Sequence, residues 1–118
     1  MNKVSIILFF VFLFQHTVFA QLKSVIEIGT NESMSIAGKG PGQDAVNNPY
    51  LGEDSNAIIE NIGQNEFTIR IQEKEKIVKM TPLKSGQTKE FLILKNQQLY
   101  FDSNLKTTVK IAFKQISK

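Results

Sequence analysis

The chain has 118 residues, with 14 basic and 11 acidic side chains, no cysteine, no tryptophan and a single histidine, His16. Disulfides and thiolate metal sites are therefore excluded, and one histidine cannot build a His-based zinc or copper cluster. The net charge of +3 is a mild surplus, so composition alone does not point to a nucleic-acid partner.

Five of the nine phenylalanines fall within the first 19 residues. That stretch reads as a signal peptide covering residues 1–20. Lys3 supplies the positive start, residues 4–14 are apolar apart from Ser5, and Val18-Phe19-Ala20 is a small-residue cleavage pattern. The apolar run is about half the roughly 20 residues that a membrane-spanning helix needs. No second such run follows, so the mature chain, residues 21–118, is expected to have no transmembrane helix. The product is expected to be exported, periplasmic or secreted, and to form one domain around one core. Its abundant lysine and asparagine point to a bacterial source.

From residue 21 onward, apolar residues recur mainly with the period of two that marks a strand with one buried face. Residues 25–28, 34–37 and 57–62 are the first candidates. Phe67, Ile69 and Ile71 then alternate with Thr68, Arg70 and Gln72, and Val78 and Met80 alternate with Lys79 and Thr81. Residues 91–94, Phe-Leu-Ile-Leu, form a continuous apolar run that suits a central strand covered on both faces. Leu99 and Phe101 alternate with Tyr100 and Asp102, and Thr107, Val109, Ile111 and Phe113 alternate with Thr108, Lys110, Ala112 and Lys114.

Turn chemistry separates these runs. Gly63-Gln64-Asn65 suits a hairpin between residues 57–62 and 67–71, and the charged residues 73–76 form a tip. Residues 82–88, with Pro82 and Gly86, end one strand and start the next. Eight short strands with no helical stripe predict an all-β protein, a single antiparallel β-sandwich.

The segment Glu60-Asn61-Ile62-Gly63-Gln64-Asn65-Glu66-Phe67-Thr68-Ile69-Arg70-Ile71 places an Asn-x-Gly turn before an alternating strand. Residues 83–91 place a Gly-containing turn before a strand with Phe91. In these features the chain resembles bacterial immunoglobulin-like or fibronectin type III-like sandwiches. The resemblance implies an immunoglobulin-like architecture and nothing about activity.

Residues 38–56 break the rhythm. They hold Gly38, Gly40, Gly42 and Gly52, both Pro41 and Pro49, and few apolar side chains. A loop of that length in a compact domain is commonly functional, so it is the first candidate for a binding site. Asp44, Asn48, Tyr50, Glu53 and Asp54 lie in it, and Tyr100 joins them as a second exposed tyrosine able to stack on a sugar or anchor a protein. Asn47 and Asn56 add oxygen donors, but the spacing is not that of an EF-hand, so no metal and no cofactor is expected.

Beyond residue 20 neither histidine nor cysteine remains, which removes Ser-His-Asp and Cys-His catalysis. Gly38-Lys39-Gly40-Pro41-Gly42 lacks phosphate-loop spacing, and the lysines at 106, 110 and 114 have no interleaved aromatics for nucleic acid. Charge is divided along the chain: residues 21–69 are net acidic and residues 70–118 net basic. The expectation is a non-enzymatic module that binds a protein partner or assembles at the cell envelope, with strand addition at a sheet edge as one mode. The alternative is a small carbohydrate-binding module that takes a glycan with the 38–56 loop through Asp44, Asn48 and Tyr50.

Overall fold

The computed structural model describes residues 23–38, 45–46, 48–50 and 52–116. The expected signal peptide at residues 1–20 lies outside the described residues. Those described form eight strands and no helix: β1 Lys23–Ile28, β2 Glu32–Ala37, β3 Ser55–Asn61, β4 Phe67–Glu73, β5 Lys76–Leu83, β6 Thr88–Ile93, β7 Gln97–Ser103 and β8 Thr107–Gln115.

Two four-stranded antiparallel sheets result, ordered β1-β8-β3-β6 and β2-β7-β4-β5. The pairing is nested. β4 pairs with β5, β3 with β6, β2 with β7 and β1 with β8, as in a chain doubled back on itself about its middle. Rolling that double ribbon adds the pairs β3·β8 and β4·β7, which close each sheet. This is the winding of a jelly roll, two Greek keys in one sandwich. In the immunoglobulin order the first two strands are neighbours in one sheet. Here β1 and β2 lie in opposite sheets, so the all-β sandwich stands and its immunoglobulin-like strand order does not.

The period of two explains the core. Ala57 and Ile59 on β3, Phe67, Ile69 and Ile71 on β4, Leu99 and Phe101 on β7, and Val109, Ile111 and Phe113 on β8 all point inward and are buried. Phe67 and Phe101 meet edge to face with ring centroids 4.9 Å apart. That geometry places the positive rim of one ring on the negative face of the other.

Three local expectations change. Residues 63–65 are not a hairpin turn, because β3 and β4 belong to different sheets; they form an arch between the layers. The arch is possible because Gly63 lies against β8: a Cβ there would sit 2.1 Å from the Thr107 hydroxyl oxygen and 2.4 Å from the Thr108 nitrogen. Residues 91–94 do not lie at a sheet centre either. β6 is an edge strand, with Phe91 and Ile93 buried while Leu92 and Leu94 are exposed. Finally, β5 runs through Pro82 to Leu83, and as an edge strand it can hold a proline.

β5 also departs from the expected buried face. A bulge on β5, opposite the Ile71–Gln72 step of β4, leaves Val78 without a directly opposed residue. Ile77, Val78 and Met80 are each more than half exposed, while Lys79 points inward and sets its ammonium 5.5 Å above the Phe91 ring. The hairpin tip at residues 73–76 is as expected. Glu73 pairs with Lys76, and Lys74 takes a φ of 57°, the left-handed geometry that suits a two-residue turn.

Candidate functional site

The described part of the 38–56 loop packs against the sandwich. Ala45 N–H donates to the Ser35 carbonyl at 2.9 Å and Val46 N–H to that of Ile36 at 3.2 Å, so the loop lies along the outer edge of β2. Val46 is buried in the core. The buried Asn48 carboxamide accepts the Tyr50 N–H at 2.9 Å and donates to the Ser55 hydroxyl at 3.4 Å. A short polar side chain closing a turn on its own backbone is the ordinary task of asparagine before proline. Tyr50 packs its half-buried ring against the core.

Glu53 is exposed, and its N–H donates to the Tyr50 carbonyl at 2.9 Å. Asp54 accepts the Lys95 N–H at 2.9 Å and so caps the turn between β6 and β7. Asn48, Glu53 and Lys95 line one crevice of about 10 Å³, room for a single water at most. The structure thus gathers Asn48, Tyr50, Glu53 and Asp54 at one end of the sandwich, where Asn48, Tyr50 and Asp54 brace the fold. Asp44 lies outside the described residues. Among those described, no three His, Cys, Asp or Glu side chains group as metal ligands would.

Tyr100 lies elsewhere, on the outer face of β2-β7-β4-β5, and there the polar chemistry converges. The register sets Arg70 opposite both Tyr100 and Met80, and Asp102 opposite both Ser33 and Thr68. Arg70 grips Asp102 with two hydrogen bonds, Nε to Oδ2 at 2.8 Å and Nη2 to Oδ1 at 2.9 Å. Its Nη2 also donates to the Ser33 hydroxyl at 2.9 Å, and Ser33 in turn donates to Asp102. Nη1 donates to Gln72, and the guanidinium carbon Cζ lies 4.3 Å from the Tyr100 ring centroid. A two-pronged guanidinium–carboxylate pair holds both side chains in one orientation, which a lysine could not do. Arg70 is the only arginine among the 14 basic residues.

The Arg70 hydrogen bonds hold the Asp102 carboxyl below its ordinary range, aided by Ser33 and opposed by desolvation. The same bonds raise Arg70, which stays charged throughout. A depressed carboxylate contributes stability above its unfolded value of about 4 and loses it as pH falls through the folded value. The pair is partly exposed, so Asp102→Asn is expected to cost about 1 kcal/mol near neutrality. In urea titrations, the gap between wild type and variant should close as pH falls below about 4; a gap independent of pH would contradict this.

Beside Asp102 an open groove of about 390 Å³ runs off the sheet face between Thr68, Asn65, Glu66, Asn104 and Leu105. Sequence reasoning placed Tyr100 and Asp102 in one strand and Arg70 in another, but had no register to join them. The signal within reach was compositional: a lone arginine on the polar side of a strand. No family model matches the chain, and neither a characterised protein nor a solved structure matches it.

Proposed function

We propose that the chain is an exported, non-enzymatic module that engages a protein partner at the cell envelope through the outer face of β2-β7-β4-β5. The observation that carries this reading is the fixed Arg70–Tyr100 pair beside the exposed Ile77, Val78 and Met80 of β5. Arginine, tyrosine and methionine are enriched at protein interfaces, and the first two dominate their energetics. Arg70 is already held by Asp102, Ser33 and Gln72, so little side-chain freedom is left to lose on binding. The lack of His and Cys beyond residue 20 supports a binding role over turnover.

A photo-crosslinking residue at position 80, set against one at Leu92 on the other sheet, tests this in the native exported fraction. A protein adduct specific to position 80, weakened about tenfold or more by Tyr100→Ala, is expected. Equal adducts at both positions, or none at 80, would overturn it. A second reading takes a glycan in the groove beside Asp102, whose volume suits one or two sugar rings and whose walls include Asn65, Thr68 and Asn104. Its mark is retention on glycan that a charge at Met80 leaves unchanged.

A further inference from the structure

The four edge strands are guarded unequally. On β5, Lys76 and Lys79, the bulge at Val78 and Pro82 all discourage an added strand. β6 turns Lys89 toward the core side, opposite the buried Ile59. β2 carries a register break between Ser35 and Ala37, and Ala45 and Val46 bond along it. β1 carries a lysine too, Lys23, but on its outer face. Its register with β8 is unbroken from Lys23 to Ile28, it holds no proline, and among the described residues it pairs with β8 alone. Val25 at its middle is 60% exposed. The unpaired N–H and C=O groups of an unbroken edge strand are a template for another strand.

We infer that this strand is a second copy of β1, added antiparallel across a twofold axis to join two β1-β8-β3-β6 sheets into one. The inference is independent of the face proposed above. Its argument is charge complementarity. Lys23, Val25 and Glu27 share the outer face of β1, while Ser24, Ile26 and Ile28 face inward. Extending the sheet requires outer residues to oppose outer residues. Centred on Val25, the pairing sets Lys23 against Glu27 of the second copy, Val25 against its equivalent, and Glu27 against Lys23 of the second copy. Moving the centre to Ile26 sets Val25 against Glu27 and loses both charge pairs. Among the described residues, Glu27 forms its salt bridge with Lys106, at 3.2 Å, with both side chains more than half exposed. A surface pair of that kind is weak and exchanges readily. The twofold contact is self-complementary, as a closed dimer requires.

Sedimentation equilibrium of the purified protein up to about 1 mM tests this, with circular dichroism as the control for folding. Wild type is expected to dimerise. Lys23→Glu alone and Glu27→Lys alone each set like charges against one another twice, and each should weaken association by about tenfold or more. An equimolar mixture of the two variants should dimerise again, because each then supplies the charges the other lacks. A monomeric wild type, single variants that dimerise as wild type does, or a mixture that stays monomeric would overturn the inference.

Discussion

Replacing Asn61 with aspartate is expected to cost about 4 kcal/mol, a large share of the roughly 5–15 kcal/mol that holds a small domain folded. Asn61 is completely buried where β3, β5 and β8 meet. Its amide donates to the carbonyls of Asn65 at 2.8 Å and Leu83 at 2.9 Å, and its oxygen accepts the Gly63 N–H and the Thr107 hydroxyl, each at 3.1 Å. Every polar capacity of the side chain is therefore used, and the four partners tie the 63–65 arch to β5 and β8. Aspartate keeps the shape and removes both donors, so two carbonyl oxygens would face a buried carboxylate with no compensating cation. Urea unfolding followed by circular dichroism measures the loss, and a loss below about 1 kcal/mol would contradict this account. The variant should also recover stability on mild acidification. Burial raises its carboxyl, so the cost falls as pH drops and the protonated acid regains one donor. That trend is opposite to the one set by Asp102 in the wild type.

Phe101→Ala is expected to cost about 3–5 kcal/mol. Phe101 is fully buried on β7, between β2 and β4 in its own sheet, with Phe67 edge-on at 4.9 Å. Truncation removes apolar burial and the ring contact, and leaves a cavity that two hydrogen-bonded sheets cannot easily collapse to fill. Phe101→Leu keeps most of the volume and should lose appreciably less in the same titration. Equal losses from the two substitutions would mean that the cavity carries no penalty.

Much of the strand content was legible because alternation reports inside and outside directly. The runs at 67–71 and 107–113 became β4 and β8 with the expected faces buried. Alternation does not report neighbours. Phe91-Leu92-Ile93-Leu94 is apolar on both faces, yet β6 forms an edge, pairing with β3 alone among the described strands. Residues 63–65 have the chemistry of a hairpin, and only the placement of β4 in the other sheet makes them an arch. The sequence also did not show how the candidate loop packs: Asn48 donates to Ser55 and Tyr50 lies partly buried against the core. The Arg70 cluster was hidden because its members come from β2, β4 and β7, strands far apart in the chain.

The nested pairing also sets the timing of folding. β4·β5 is the only local pair; each later one, β3·β6, then β2·β7, then β1·β8, must close a larger loop than the last. β8 sits between β1 and β3, so among the described strands β1 has no neighbour, and β3 has only β6, until Thr107–Gln115 has been synthesised. A growing chain therefore cannot lock this sheet early. The sheet is completed only when β8 joins β1 to the β3·β6 pair.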